Sequence, residues 1–393
     1  MRIRTLLLIL SAIAVTAVAA VVALVVPRPA SAPPFTPPAS RDVAYAYTTI
    51  DDLTVVRGNI VVAKVPVILS LSSTVAWSND GAYIAALPEA GDDADKLLLV
   101  NTVSGQVTKT SCLKCGNLTA FAEHSFLVIG DPGTGRQFLR YDPGPATDGR
   151  PVSLPANPDD EQPIFGSRTD LVLQNDYMTH NTNHTALRII STSGNSDSLV
   201  NGDFVNGAIH VASDLGTHGE EQFLIAHDGS GCASSPRISI AHLDGTTRAT
   251  DLSAAQPADH TFPTGVTVDD LWLGPDASFY ASIGSWKCTK TQQETTWFEE
   301  MQTPAMPISL WKLDPNTLQW TNQHAVPALM TRFLGNSAML SLAVPDCIGP
   351  HPYMGINTDY CRAGPLYKVA NGKRTHIADH VTAIYTEPPP ILP

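Results

Sequence analysis

Thr74-Val-Ala-Trp77-Ser-Asn-Asp80-Gly81-Ala-Tyr-Ile-Ala85 is the stretch on which the fold turns. Apolar residues flank a Ser-Asn-Asp-Gly centre, and glycine tolerates the positive φ that a tight hairpin demands, so the segment reads as two antiparallel strands. Leu97–Val100 then supplies a further strand and Thr102–Gly105 a further turn. The same rhythm begins at Leu53, Leu98, Phe138, Leu187, Ile238, Leu310 and Leu366, which makes seven copies. Gly58 to Gly105 spans 47 residues and Gly194 to Gly245 spans 51. A strand-built period of this size is the mark of a β-propeller with one four-stranded blade per copy. The expectation is an all-β, seven-bladed β-propeller over residues 41–386, with a pair of two-sheet sandwiches as the competing architecture.

The Trp77-Ser-Asn-Asp80-Gly81 hairpin, with the strand and turn that follow it, resembles the repeat of TolB-like and WD40-like bacterial β-propellers. The resemblance covers about forty residues; elsewhere the likeness is one of strand rhythm, with departures at Leu273-Gly-Pro-Asp276 and Leu334-Gly-Asn-Ser337. It implies the fold and says little of activity, because such folds host many functions.

Closure of the ring is also legible. The first copy holds three strands, about Val43–Thr48, Leu53–Arg57 and Ile60–Val65, and lacks an innermost one. The last copy is complete by Thr375–Ala378 and leaves Val381–Tyr385 spare. Inserting that strand at the centre of the first blade removes the exposed edges that invite aggregation.

Arg2 and Arg4 precede Thr5–Val26, 22 residues without a charge. As a helix this run would reach about 33 Å, enough to cross the hydrocarbon of a bilayer. Bases on its short side put that end in the cytoplasm and the remainder outside. Residues 1–26 therefore read as a signal anchor, with a cleaved signal peptide and secretion as the alternative. Six prolines between Pro27 and Pro38 make residues 27–40 a semi-rigid linker, and residues 387–393 form a Pro-rich tail.

Residues 1–40 hold three bases and no acid; the remainder has 21 bases against 37 acids, a net −16. That balance argues against nucleic acid as a partner. With strands named a to d from the axis outward, the a–b turns are short and the b–c connections long. The long ones are Leu87–Asp95, Gly130–Arg136, Gln174–Thr185, His227–Arg237, Gly284–Ile308 and Val344–Pro365. Long loops on a rigid scaffold are the usual place for function. Within or beside them lie Trp286, Trp297, Phe298, Tyr353, His351 and His227, the candidate binding residues, and Gln292–Met301 reads as a short helix. Six cysteines fall on the same face, and in an exported chain an even count reads as disulfides: Cys112–Cys115, Cys232–Cys288 and Cys347–Cys361.

Catalytic and metal signatures are weak. His180-Asn-Thr-Asn-His184 sits in a loop, Asp92, Asp93 and Asp95 miss the calcium-loop spacing, and Gly130-Asp-Pro-Gly-Thr-Gly135 lacks the lysine of a P-loop. No catalytic residue, metal or cofactor is assigned. The expected function is a membrane-tethered extracytoplasmic module that binds an envelope protein, peptide or glycan. The alternative is a hydrolase or lyase whose acids and histidines converge at the long-loop face of the axial channel.

Overall fold

The computed structural model describes residues 43–388 apart from 70–74, 145–147, 180–181, 194–196, 206–207, 215, 217–219, 228–235, 258–263, 293–297, 336–337 and 344–362. The described residues form seven four-stranded antiparallel sheets.

Blade 1 contains β1 (Ala44–Thr48), β2 (Asp52–Arg57) and β3 (Ile60–Pro66). Blade 2 runs β4 (Val75–Trp77), β5 (Tyr83–Ala86), β6 (Lys96–Asn101) and β7 (Val107–Ser111). Blade 3 is β8 (Gly116–Phe121), β9 (Ser125–Gly130), β10 (Gln137–Tyr141) and β11 (Arg150–Pro151). Blade 4 is β12 (Glu161–Gly166), β13 (Asp170–Thr179), β14 (Thr182–Ser191) and β15 (Asp197–Val205). Blade 5 is β16 (Ala208–Ser213), β17 (Gln222–His227), β18 (Arg237–His242) and β19 (Thr247–Ala249). Blade 6 is β20 (Thr264–Leu273), β21 (Phe279–Gln292), β22 (Phe298–Leu313) and β23 (Trp320–Asn322). Blade 7 is β24 (Met330–Leu334), β25 (Ala338–Leu342), β26 (Gly364–Ala370) and β27 (Lys373–Val381). The last strand, β28 (Ala383–Thr386), pairs with β1 as the innermost strand of blade 1, in the register Tyr45↔Thr386 to Thr48↔Ala383. The seven-bladed fold and its closure by the C-terminal strand are those expected from the repeat.

Each interblade boundary holds its own apolar cluster, because a strand buried on both faces presents alternate side chains to two neighbours. Leu53 and Val65 of blade 1 meet Val75 and Leu98 of blade 2. Ala85 and Leu97 face Phe126 and Val128 across the next boundary. Leu127 and Phe138 then pack on Leu171 and Ile190, and Val172 and Leu187 on Phe223 and Ile225. Leu224 and Ile238 meet Ile283 and Trp311; Trp272 and Tyr280 meet Phe333; Leu340 and Leu366 meet Tyr45 and Ile384. Each fully buried side chain of this size contributes about 1.5–3 kcal/mol, so among the described residues the ring is held by side-by-side packing of neighbouring blades.

Two expectations change. Gln174–Thr185 and Gly284–Ile308 are not irregular loops but continuations of the strand pairs β13–β14 and β21–β22. The expected helix at Gln292–Met301 is likewise replaced: Phe298–Met301 belongs to β22 and pairs with Gln292–Thr289 of β21. Among the described residues the single helical element is a 3-10 turn, Ser253–Ala255, and no helix is long and apolar enough to cross a membrane. The anchor and linker segments, residues 1–40, lie outside the described residues.

Candidate functional site

The seven inner strands enclose an axial cavity of about 320 Å³. Its lining comes from the C-terminal halves of β4, β8, β12, β16, β20 and β28, with Arg332 from β24, so it opens towards the a–b turns. Those turns are tightly built. In the Trp77–Gly81 hairpin, Ser78 Oγ donates to Asp80 Oδ1 at 2.6 Å and the Ala82 N–H donates to the same oxygen at 3.0 Å. Partial burial opposes ionisation of Asp80, yet these bonds and one from His124 outweigh it and hold the carboxyl below its ordinary range. Gly81 has φ +71°, and a Cβ there would lie 2.5 Å from Cγ of Glu387 at the cavity rim.

The cavity wall has two halves. Blades 2 to 4 supply apolar groups, among them Val75, Leu118 and Ile164. Blades 5, 6, 7 and 1 carry a polar group: His210 on β16 and Asp270 on β20 behind the lining, and Arg332 on β24 and Tyr385 on β28 within it. His210 and Asp270 both follow a β-bulge, between Ala208 and His210 in one strand and between Val268 and Asp270 in the other. A bulge re-aims the side chains beyond it, and bulges gather beside functional sites. Each residue precedes a lining residue, Val211 or Leu271, so the pair lies one step below the lining.

Arg332 is the centre of this group. Its Nη1 donates to Asp270 Oδ2 and, at 3.1 Å, to the Thr331 carbonyl. Its guanidinium also lies over the Trp272 ring, 4.6 Å from the centroid. Burial pushes the His210 imidazole below its ordinary pKa, against the pull of Asp270 and with the push of Arg332. Burial likewise pushes the Tyr385 phenol up to about 12. His210 is therefore neutral and Tyr385 protonated near pH 7, and Arg332 and Asp270 balance one another.

Beside the rim stands Glu221, which accepts hydrogen bonds from Ser213 Oγ, from Ser167 Oγ at 3.1 Å and from Thr169 Oγ1 at 3.2 Å. Burial raises its carboxyl to about 7, a value suited to acid–base work. Its oxygens are nevertheless committed to three hydroxyls across the boundary between blades 4 and 5, which is a structural use. Among the described residues no group of three or more His, Cys, Asp or Glu is placed to hold a metal ion. Asp93 is engaged by Lys96 at 2.8 Å and Lys109 at 2.5 Å.

The opposite face carries the b–c hairpins. In blade 6 the inner strand ends at Thr264, opposite Lys287, while β21 and β22 continue pairing from Cys288↔Gln302 to Gln292↔Phe298. Five further residues per strand make an arm of about 16 Å. In blade 4 the inner strand stops at Glu161, opposite Asn175, and the hairpin runs on to Thr179↔Thr182. Tyr177 on that extension is 46% exposed and stacks on His184 with ring centroids 5.7 Å apart.

Of the expected binding residues, Trp286 is a buried member of β21, 4% exposed, with Nε1 donating to the Val266 carbonyl at 3.0 Å. It faces inward because the hairpin continues through it, opposite Gly265. His227 is also buried, at the end of β17 between Ala208 and Arg237. Neither is the exposed loop anchor the sequence suggested. Trp297, His351 and Tyr353 lie outside the described residues. Cys112 and Cys115 are joined by a disulfide in the connection from β7 to β8. Cys232, Cys347 and Cys361 lie outside the described residues, as does the side chain of Cys288. Tyr177, Asp270, Arg332, His210 and Tyr385 were not among the residues singled out from sequence.

No family model and no curated relative matches the chain. Among solved structures it is similar to the β-propeller domain of the Trilobed protease from Pyrococcus furiosus (12% identity, TM-score 0.46, 87% of this chain and 94% of that one). It is also similar to Pyrococcus horikoshii acylaminoacyl peptidase (11% identity, TM-score 0.46, 87% of this chain and 51% of that one). A third likeness is to a puromycin hydrolase mutant (13% identity, TM-score 0.45, 78% of this chain and 46% of that one). The chain spans about half the length of the last two proteins. These are likenesses of fold, and no activity follows from them.

Proposed function

We propose that this chain is a membrane-tethered, extracytoplasmic β-propeller that binds a protein, peptide or glycan of the cell envelope through its b–c face. The observation that carries the reading is the pair of strand hairpins in blades 4 and 6 that outrun their inner strands on that one face. An exposed aromatic on a paired hairpin is a pre-ordered anchor, and pre-ordering lowers the entropic cost of binding. The Tyr177–His184 stack is such a group. The uncharged run Thr5–Val26 behind Arg2 and Arg4 supports the tether. The net −16 beyond residue 40 favours a neutral or basic partner, with an attraction that weakens as salt rises. Catalysis is the lesser reading because the best-placed acids are occupied, Asp270 by Arg332 and Glu221 by three hydroxyls.

The test is a photo-crosslinking amino acid placed at Tyr177 or, on the other face, at Ser104, in the full-length protein within its own envelope. A discrete adduct from position 177 and none from position 104 is the expected result. Tyr177→Ala should weaken capture of the crosslinked partner about tenfold or more, the cost of truncating a hot-spot aromatic. An adduct from position 104 alone places the partner on the wrong face and ends the proposal.

A further inference from the structure

We propose that the axial cavity is a binding site for an uncharged amide, whose acyl oxygen accepts hydrogen bonds from the free edge of the Arg332 guanidinium. This site lies at the a–b end of the ring and is independent of the b–c face reading.

Arg332 is held in advance of any ligand. One face of the guanidinium rests on the Trp272 indole, and Nη1 is fixed by Asp270 and the Thr331 carbonyl. Nε and Nη2 have no acceptor among the described residues, and Arg332 lines the cavity. A planar fork immobilised on one edge forms hydrogen bonds on the other with little further loss of entropy. Trp77 and Trp272 line the cavity with their rings while their Nε1 atoms are sealed off from it, so the Arg332 edge is the donor the wall presents. An unpaired donor edge suits a ligand that brings an acceptor.

Charge balance selects a neutral ligand. Arg332 and Asp270 pair with one another, burial favours a neutral His210, Glu221 beside the rim is held by three hydroxyls, and Glu387 at the rim faces Arg57 at 3.7 Å and accepts from the Ala44 N–H at 3.0 Å. An anion or a cation entering this space would shed its hydration without an unpaired counter-charge to meet it.

Polar capacity selects an amide over a polyhydroxylated molecule. Asn79 Nδ2 already donates to the Ala122 carbonyl at 2.6 Å, and the Ser213 hydroxyl already donates to Glu221. Most of the remaining wall is apolar, so a ligand with many hydroxyls would bury several unpaired. One carbonyl on a compact apolar body matches the wall. A cavity of about 320 Å³ fits a small ligand of this kind.

The experiment titrates the full-length protein by calorimetry, with intrinsic tryptophan fluorescence as a second readout, because Trp77 and Trp272 border the cavity. N-acetyl-alaninamide presents an acetamide on a compact apolar body, and N-acetylglucosamine presents the same acetamide on a polyhydroxylated one. N-acetyl-alanine and alaninamide are the matched anion and cation. N-acetyl-alaninamide should bind about tenfold or more tightly than both charged probes and than N-acetylglucosamine. Arg332→Lys keeps the charge opposite Asp270 but loses the fork, and should weaken binding about tenfold with little change in the thermal midpoint. Should that variant fail to fold, Arg332→Met combined with Asp270→Asn removes both charges together and should abolish binding. The proposal is overturned if a charged probe or N-acetylglucosamine binds as tightly as N-acetyl-alaninamide, if N-acetyl-alaninamide does not bind at millimolar concentration, or if a folded variant retains wild-type affinity.

Discussion

The same strands end very differently on the two sides of this ring. At the a–b side turns of blades 2 and 4 are bound to the next blade: the Asp80 N–H donates to the Glu123 carbonyl, Asn79 reaches the Ala122 carbonyl, and Glu221 ties Ser167 and Thr169 to Ser213. At the b–c side the extended hairpins bond within themselves, as Tyr177 does with His184 and Asp176 with Thr185. A turn that is part of the interblade packing is not free to vary. A hairpin whose hydrogen bonds are internal can lengthen without disturbing the ring. The stitched side therefore shapes a fixed cavity, and the free side presents arms.

The largest expected effect comes from opening the ring. Truncation after Thr382 removes β28, exposes the ladder edge of β1, and takes away Ile384, which is 1% exposed. The chain should lose its cooperative unfolding transition and aggregate through the freed edge. The milder Ile384→Ala leaves the ladder intact and should cost about 2–5 kcal/mol in urea unfolding. A truncated protein with a wild-type midpoint would show that the stitched side does not depend on closure.

The c–d turns share that side, and their glycines grade its tightness. Gly105, Gly245 and Gly372 have φ +73°, +83° and +71°. A Cβ on Gly105 would lie 2.2 Å from the Val62 carbonyl oxygen, and one on Gly245 would lie 2.1 Å from that of Leu199, both backbone atoms of the preceding blade. At Gly372 nothing lies within 4 Å. Gly105→Ala and Gly245→Ala carry both backbone strain and overlap and should cost about 2–4 kcal/mol, whereas Gly372→Ala carries strain alone, about 1 kcal/mol. Equal losses at all three, measured by denaturant midpoint, would mean that the turns do not stitch neighbouring blades together.

Much of this ring is legible in the sequence, because its cues are local. Asp80-Gly81 marks its own turn, the strand rhythm counts the blades, and a missing inner strand in the first copy calls for a spare one at the end. The polar cluster was not readable, because its members are 60, 62 and 53 residues apart, at positions 210, 270, 332 and 385. Each sits in an inner strand of its own blade, Asp270 beside Asp269 and Arg332 beside Thr331, and only the ring brings them together. Asp269 and Asp270 are indistinguishable by pattern until the bulge between Val268 and Asp270 sets their register. The arms were misread for a related reason. The Gln174–Thr185 and Gly284–Ile308 segments carry polar residues that suggest loops, and their pairing depends on a partner strand rather than on burial. Trp286 reads from sequence as a surface anchor on the same ground, although the continued pairing of β20 with β21 puts it against Val266.

Glu221→Gln should move stability least, and it tests whether the bridge between blades 4 and 5 is strained by its own charge. Burial raises the carboxyl from 4.5 to about 7; hydrogen bonds from Ser213 and Ser167 oppose that rise, and the charge of Asp170 adds to it. The folded chain therefore keeps a proton between about pH 4.5 and 7 that the unfolded chain has lost. Stability gained from that proton is complete below the unfolded value and is lost as pH rises through the folded one. Asp80 runs the other way, since its lowered pKa makes stability fall at acid pH, below its unfolded value of 3.8. The informative quantity is accordingly the difference between variant and wild type at each pH. Glutamine keeps the size and cannot ionise, so the variant should melt about 1–3 °C higher at pH 8, with the difference shrinking towards pH 5. Curves that stay parallel from pH 5 to pH 8 would show that Glu221 sits in the bridge without electrostatic cost, leaving the stitching of this side to hydrogen bonds and packing alone.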